Sequence, residues 1–428
     1  MSMDDPERDA HPPHPAPAGA SASRAWMQGP VAALSTLAQI GGAALAAVGR
    51  ELAAWKPSTE RAAFAAQAVL SVALAVALAY ALNLSNTWWA AISGFAVMQT
   101  SFAASAKRAA HRILGTVLGA LLGTIAGPAI GDLPWIFVPL LGVIGGVSVY
   151  RAIGSDAGYA WILGGVTALM VTYEAHKLAT AAATASFATL RVAEVVVGTL
   201  ACLAVSGAFH LGAQLRAKRR AGAGPAGPVA AAAPGAMPAT PDDTPAVAAH
   251  APSQQAQHAA RKLLAWQCAL SVSILAALTY VLKLPGFAQA MVTAVAVLIL
   301  PVSSLGGSTP RPVVERMVHR FAGCLLAGVI SVALLPVLGE SAPACMLVLS
   351  LGVWFGCHVQ TGQEGASYVG RQFTIAFIMV FVQDHHWSAD PVPALMRLSG
   401  ILTGVVVLSA VMLATSRLPL ARQGAAAG

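Results

Sequence analysis

Four arginines stand at matched positions in the two halves of this sequence. Arg112 and Arg320 each follow a histidine near the beginning of a long apolar segment, and Arg191 and Arg397 each open the last apolar segment of a half. A guanidinium inside a membrane span costs about 3 kcal/mol on insertion scales, so it needs a partner or a water-lined cavity. Snorkelling anchors would explain Arg112 and Arg320. Their repetition in both halves favours an electropositive path for an anion.

Acidic residues near these arginines are candidates for proton coupling. Glu194 lies three residues after Arg191 and would share its helix face, whereas Gly400 stands at the same spacing after Arg397. We therefore expect an ion pair in the first half and a freer guanidinium in the second. The other candidates for proton coupling are Asp156, Glu364 and His358. For the two acids, a solvated loop position is the alternative interpretation.

Glycines and glutamines form the remaining candidate sets. The third apolar segment carries four glycines spaced four residues apart, and its counterpart in the second half begins with one: Gly115, Gly119, Gly123, Gly127 and Gly323. A ridge of this kind lets another helix approach closely. We interpret it as a packing surface, with sliding during transport as the alternative. Three amides either line a substrate path or connect helices: Gln67, Gln99 and Gln267.

The composition is that of a membrane protein. Hydrophobic residues make up 57% of the 428 residues, charged residues only 10%, and the mean hydropathy is +0.69. A soluble domain carries about 25% charged residues. Apolar runs of about 20 residues recur, which is the length that crosses the hydrocarbon core of a bilayer. Too few polar residues remain to cover a soluble surface, so we expect a multi-span helical protein.

Several functions are excluded or disfavoured by the motifs. The five cysteines show neither pairing nor metal spacing, so we expect no disulfide frame, metal or cofactor. Gly-x-Ser-x-Gly, His-Glu-x-x-His, P-loop and Cys-x-x-Cys motifs do not occur, and we expect no enzyme. The net charge of +8 would suggest nucleic acid on a soluble protein. Here it marks cytoplasmic loops.

The chain repeats itself. Residues 67–90 and 267–290 are identical at ten of 24 positions with an offset of 200, and further matches follow at offsets of 206 to 209. Duplicated hydrophobic halves are common in transporters, which handle substrate where the halves meet. The apolar pattern predicts twelve spans: 62–82, 87–104, 110–130, 133–150, 157–173, 190–212, 262–282, 286–304, 314–337, 342–358, 367–384 and 394–415.

The distribution of basic residues predicts the orientation. With both termini placed inside, the inner segments hold 21 of the 25 lysines and arginines. This is a strong positive-inside signal. Six spans per half is an even number, so both halves enter the membrane the same way round. We expect two parallel six-helix repeats related by a pseudo-two-fold axis along the membrane normal.

The segments outside the spans complete the predicted organisation. We expect a disordered cytoplasmic tail over 1–28, repeats over 58–213 and 260–416, an Ala/Pro/Gly-rich cytoplasmic linker over 214–259 and a cytoplasmic tail over 417–428. Residues 29–57 show helical spacing of apolar residues with Arg50 and Glu51 near the end. An amphipathic helix on the cytoplasmic face is favoured there. A thirteenth span is the alternative.

A resemblance to a known family rests on four motifs. These are Arg50-Glu-Leu-x-x-Trp-x-Pro-x-x-x-Arg61, Trp88-Trp89, Gln99-x-Ser101 and Arg112-x-x-Gly115-x-x-x-Gly119. Together they resemble the fusaric acid resistance family, which includes aromatic-acid exporters. The second half departs from the pattern, because Ala288-Gln289 replaces the tryptophan pair. The linker is also short, whereas larger members carry a sizeable cytoplasmic domain at that place.

The resemblance implies efflux of aromatic or other organic acids across a bacterial inner membrane. The expected partners are the lipid bilayer and a small organic anion, without nucleic acid. A periplasmic adaptor protein and a homo-oligomer stay open. A membrane scaffold for envelope assembly and a passive anion channel are the alternative functions.

Overall fold

The computed structural model describes residues 30–56, 58–178, 180–222, 254–282, 287–305, 310–382 and 390–415. Within these ranges the regular secondary structure is helical throughout, with thirteen α-helices and one 3-10 turn. The predicted tails 1–28 and 417–428, and most of the predicted linker, lie outside the described residues. The predicted all-helical class is confirmed for the described part of the chain.

An N-terminal helix precedes two sets of six helices. Helix α1 is Pro30–Ala54. The first set is α2 (Thr59–Ala81), α3 (Thr87–Ala96), α4 (Phe102–Ile130), α5 (Pro134–Ala152), α6 (Gly158–Ala175) and α7 (Ala181–Gly222). The second set is α8 (Gln254–Leu282), α9 (Phe287–Leu298), α10 (Pro310–Leu338), α11 (Ala342–Gln360), α12 (Ser367–Phe381) and α13 (Val392–Thr415). Among the described residues, eight helices are long and apolar enough to cross a membrane: α2, α4, α5, α7, α8, α10, α11 and α13.

Two predicted spans are wrong in extent, and they occupy the same place in each set. The predicted span 87–104 stops being helical at Ala96, and the predicted span 286–304 stops at Leu298. With 10 and 12 residues, these helices are about 15–18 Å long, roughly half of a hydrocarbon core. After α3, Ser101 caps the next helix by accepting a hydrogen bond from the Ala104 amide at 3.2 Å. After α9, Pro301 cannot continue a helix.

Helix α7 is longer than predicted. It contains 42 residues and runs to Gly222, into the segment predicted as linker. Its last turns expose three basic side chains: Arg216, Lys218 and Arg219. Alanine, glutamine, leucine, arginine and lysine are strong helix formers, so the helix continues where the sequence becomes polar.

The two sets pack alike. Helix α4 packs mainly on α6, and α10 packs mainly on α12, at the corresponding position of the second set. Within the first set, Gly115, Gly119, Gly123 and Gly127 all face α6: a Cβ at Gly115 or Gly119 would collide with a backbone carbonyl of α6. A Cβ at Gly323 would collide with the carbonyl of Val369 on α12 in the same way.

The contacts between the sets are reciprocal. Helix α5 packs on α8 while α11 packs on α2, and α6 packs on α9 while α12 packs on α3. These contacts produce two large apolar clusters. In one of them, the rings of Phe373, Phe377 and Phe381 stack with centroid separations of 5.3 and 4.5 Å. Each of the two clusters therefore contains residues from both sets.

Hydrogen bonds from the first helix of each set reinforce these contacts. Arg261 of α8 donates to the Tyr150 carbonyl at the end of α5, at 2.9 Å. Arg61, two hundred residues earlier in the chain, donates to the His358 carbonyl near the end of α11. Arg61 also donates to Glu51 Oε1 at 2.6 Å. Each set thus contributes one arginine from its first helix, which donates a hydrogen bond to a main-chain carbonyl of the other set.

Helix α1 lies against the second set. Its residues Ala44, Ala47 and Val48 belong to an apolar cluster that includes Val359 and Val369. At the end of α1, the Glu51 carboxylate is 3% exposed. Its Oε2 accepts hydrogen bonds from the amides of residues 363 and 364, at 3.1 and 3.3 Å. Whether α1 lies on the membrane surface or spans it stays a prediction.

Candidate functional site

The first buried arginine lies beside the short helix α3. Arg112 is 3% exposed. Its Nη2 donates to Ser93 Oγ at 2.9 Å, and its Nη1 donates to the Tyr159 hydroxyl at 2.9 Å. Ser93 in turn donates to the Trp89 carbonyl at 2.7 Å, one turn back in α3. The guanidinium is therefore held inside the protein by hydrogen bonds to α3 and α6.

Arg320 repeats this arrangement in the second set. It is 5% exposed. Its Nε donates to Thr293 Oγ1 at 3.3 Å, and Thr293 donates to the Gln289 carbonyl at 2.8 Å. These partners stand 200 residues after Ser93 and its own acceptor. The tyrosine contact is replaced, because Arg320 Nη1 donates to Gln372 Oε1 at 2.8 Å.

Arg191 packs on Trp89 of α3. It is 2% exposed, and its Cζ lies 3.0 Å from the ring centroid of Trp89. Its Nη2 contacts the Met170 sulfur at 3.8 Å, while Nε and Nη1 are buried without a hydrogen-bond partner. Glu194 is 1% exposed and acts electrostatically on Arg191. One of its oxygens accepts a hydrogen bond from the Asn86 amide at 3.0 Å.

Arg397 repeats this position with different neighbours. It is 7% exposed. Its Nη1 contacts the Met379 sulfur and lies 3.5 Å from Gln289 Oε1, and its Nε is buried without a partner. The Cys324 thiol and the positive charge of Arg320 also lie near it. Among the described residues, no carboxylate lies within ion-pair distance of either second-set arginine.

Each set thus buries two guanidiniums around its short helix. We call Arg112 and Arg191 the first-set pair, and Arg320 and Arg397 the second-set pair. The members of each pair are close enough for their charges to repel one another. Burial of an uncompensated charge costs several kcal/mol. Such a group is therefore expected to bind a counter-ion or water.

A second basic cluster surrounds Tyr159. Arg108 lies over its ring, 4.4 Å from the centroid, and Arg371 of the second set is near enough to act on its hydroxyl. In the second set, Arg316 lies 5.3 Å from the ring centroid of Tyr368. Arg371 was not predicted from the sequence, because its spacing in α12 has no basic counterpart in α6.

The three predicted amides have different surroundings. Gln267 is buried and donates to Thr415 Oγ1 at 2.9 Å, which connects α8 to α13. Gln99 lies in the non-helical segment after α3, where its side chain donates to its neighbour's carbonyl and its amide donates to Ser105 Oγ at 3.0 Å. Gln67 is half-buried in α2. The structure does not bring these amides into one site with the arginines through any hydrogen bond it describes.

The remaining proton-coupling candidates are separate from the arginine pairs. Asp156 is exposed on the loop between α5 and α6. Glu364 forms an ion pair with Arg50 at 3.3 Å. His358 is buried, stacks on Trp55 with centroids 4.2 Å apart, and has an Nε2 without a partner. Glu194 alone lies beside a buried arginine.

The sequence did not reveal the groups that hold the arginines. Ser93 and Thr293 share the offset of 200, and Met170 and Met379 share an offset of 209. These offsets are visible in the sequence, but serine, threonine and methionine in apolar segments do not by themselves indicate a site. Gln372 has no counterpart in the first set. Over the described residues, no group of His, Cys, Asp and Glu side chains is placed to hold a metal ion.

The long apolar helices identify a multi-span helical membrane protein. Residues 61–244 match the model of the fusaric acid resistance protein family, abbreviated FUSC. The match confirms the family resemblance predicted from the sequence. It covers the first set of helices and extends into the segment that follows α7. No curated protein matches the chain significantly. No solved structure does so either.

Proposed function

We propose that this protein exports aromatic or other small organic acids across a bacterial inner membrane. The observation that carries the proposal is the pair of buried guanidiniums at the same place in each set, with nitrogens of Arg112, Arg191 and Arg397 lacking partners. An anion, water or an acidic group would offset such charge in a medium of low dielectric constant. The family match supports a transport role.

The two short helices, α3 and α9, support a binding region beside the buried arginines. Transporter sites are commonly built where membrane helices are interrupted, and interrupted segments at corresponding positions of two halves are a pointer to the site. Helices α3 and α9 satisfy this criterion, and each supplies the hydroxyl that holds a buried arginine. The anion would therefore pass beside α3 or α9, close to the contacts between the sets.

The proposed architecture is twelve membrane segments in two like-oriented repeats, related by a pseudo-two-fold axis along the membrane normal. The reciprocal packing of α5 on α8 and of α11 on α2 supports it. With both termini in the cytoplasm, the basic end of α7 would face inward, as the positive-inside rule requires. The inside-negative membrane potential alone would drive an anion outward, with about 2.3 kcal/mol per charge per 100 mV.

Export can be tested in cells. A bacterial strain lacking endogenous aromatic-acid exporters would be loaded with labelled benzoate, with and without the chain. We expect faster loss of label with the wild type and no acceleration with Arg320→Gln. Arg216→Gln, which removes an exposed charge on α7, is the control and should export like the wild type. Loss rates that do not depend on the protein would refute export and favour a membrane scaffold.

A further inference from the structure

The two arginine pairs are chemically unequal, although they occupy matched positions. In the first set, the carboxylate of Glu194 acts on Arg191, and the indole of Trp89 covers the guanidinium. Cation–π contact and a nearby carboxylate both stabilise a buried cation. The first-set pair therefore already has compensating groups within the protein.

The second-set pair lacks both of these groups. Gln289 stands where the first set has the stacking tryptophan, and Gly400 stands where it has the acid. Arg320 and Arg397 are nonetheless as deeply buried as their counterparts, at 5% and 7% exposure. The described contacts of Arg397 are an amide oxygen, a thioether and a thiol. These are neutral groups, so about two positive charges remain without an acid among the described residues.

We infer that the second-set pair is a carboxylate-binding site, and that the first-set pair is not. This inference deepens the proposed function, because it assigns substrate binding to one half. A guanidinium presents its donors in a planar fork that matches a carboxylate in two-point contact. The free Nε of Arg397 supplies one donor of such a fork. Gln289 and Gln372 place neutral polar groups beside the charges.

Duplication explains how the difference would serve transport. If the two sites were equal and both were occupied, they would hold two anions that repel each other. If only one were occupied, the arginine pair of the other site would stay uncompensated. With Glu194 in place, the first set keeps its arginines without a ligand, and the second set requires one. The asymmetry resides in two positions, Trp89 against Gln289 and Glu194 against Gly400, and both can be exchanged by mutation.

Binding to the full-length protein purified in detergent tests the inference. Benzoate is titrated calorimetrically at constant ionic strength, with chloride and sulfate in parallel titrations. We expect one benzoate per chain. Arg397→Gln should weaken binding at least tenfold, and Arg191→Gln should weaken it much less. Arg216→Gln is the control and should bind like the wild type. Equal weakening by Arg191→Gln and Arg397→Gln would overturn the inference, as would the absence of benzoate binding.

Adding an acid to the second set and removing the acid from the first set test the inference more sharply. Cys324→Asp places a carboxylate beside Arg397 with little change in volume, and we expect it to abolish benzoate binding. Gly400→Glu installs the acid at the position that corresponds to Glu194. In the first set, Glu194→Gln should raise the stoichiometry from one benzoate towards two. Size-exclusion profiles establish folding, and unchanged binding by a folded Cys324→Asp protein would contradict the inference.

Two further comparisons identify the class of ligand and distinguish a failure of this inference from a failure of the proposed function. Arg397→Lys keeps the charge but loses the planar fork, so it should weaken benzoate much more than chloride. Chloride binding with the same dependence on Arg397, in place of benzoate, would overturn the carboxylate assignment. Export that fails while benzoate still binds would overturn the proposed function alone. Export that persists after binding is lost would overturn this inference alone.

Discussion

At the scale of residues, buried charge is the feature that organises this protein. Arg112 and Arg320 are each held by a hydroxyl from the short helix beside them. Arg191 and Arg397 retain nitrogens without partners. Near the end of α1, Glu51 and Arg61 instead form a largely buried ion pair, and both side chains make further hydrogen bonds. The second-set pair suits ligand binding, and the Glu51–Arg61 ion pair suits structural stability.

The Glu51–Arg61 ion pair should contribute strongly to stability. Its side chains are 4% and 13% exposed, and Glu51 also accepts two amide hydrogen bonds from the loop after α11. Removing one partner of a buried pair costs about 3–5 kcal/mol, because the other charge stays buried. We expect Glu51→Gln to lower the apparent melting temperature of the detergent-solubilised protein clearly.

The neighbouring residue supplies the control for that experiment. Arg50 pairs with Glu364 at 3.3 Å, but the two side chains are 58% and 31% exposed. Exposed ion pairs contribute about 0–1 kcal/mol, so Arg50→Ala should leave the melting temperature nearly unchanged. Equal shifts in melting temperature for Glu51→Gln and Arg50→Ala would show that burial does not make the Glu51–Arg61 ion pair more stabilising.

At the scale of elements, small residues determine how the helices approach one another. The glycine ridge of α4 brings the backbones of α4 and α6 into contact along four turns. The ridge packs within one set of helices, whereas Gly142 and Gly146 of α5 contact the other set. Sliding of α4 would thus alter the first set internally.

A single methyl group on this ridge should be costly. A Cβ at residue 119 would collide with the Gly164 carbonyl and lie 3.0 Å from Thr167 Cβ. Overpacking costs about 1–3 kcal/mol, so we expect Gly119→Ala to destabilise the protein in thermal unfolding. Gly212→Ala is the matched control, because Gly212 has no neighbour within 4 Å. There the better helix propensity of alanine should stabilise α7 slightly. Similar shifts for both variants would contradict the packing argument.

The sequence predicted the helices better than it predicted their interruptions. Long apolar runs and polar breaks identify α4 or α11 without difficulty, since length and hydropathy alone decide them. The ends of α3 and α9 were missed because Val97 and Met98, and likewise Ile299 and Leu300, continue the apolar run. Their backbone leaves the helix inside the protein, where hydropathy does not change. The contact between Arg112 and Ser93 depends on this turn and was equally invisible.

At the scale of the whole molecule, the two sets exchange equivalent contacts. The first helix of each set packs on the fourth of the other, and the second helix of each packs on the fifth of the other. Duplication followed by divergence at a few buried positions would preserve this packing while making the two arginine pairs unequal. The offsets in the sequence predicted a repeat of this kind. The sequence did not predict which residues face the other set, because those side chains are as apolar as the ones that face lipid.

Orientation is a prediction about the whole molecule. The five native cysteines are buried, so an introduced cysteine can be labelled selectively. We expect Arg216→Cys to react with an impermeant maleimide only from the cytoplasmic side and Asp132→Cys only from the outer side. Both positions are exposed. The reverse pattern would refute the proposed topology, and labelling of both from one side would refute the three membrane segments predicted between the two positions.

Flux of labelled benzoate into proteoliposomes made from the purified chain measures whether the protein itself moves an organic anion across a membrane. We predict uptake that rises with an inside-positive potential and is lost in the Arg320→Gln and Arg397→Gln double variant, whereas Arg216→Gln transports like the wild type. Equal flux with the double variant and the wild type would contradict the role of the second-set pair. If no protein raises the flux above that of protein-free liposomes, transport itself is contradicted.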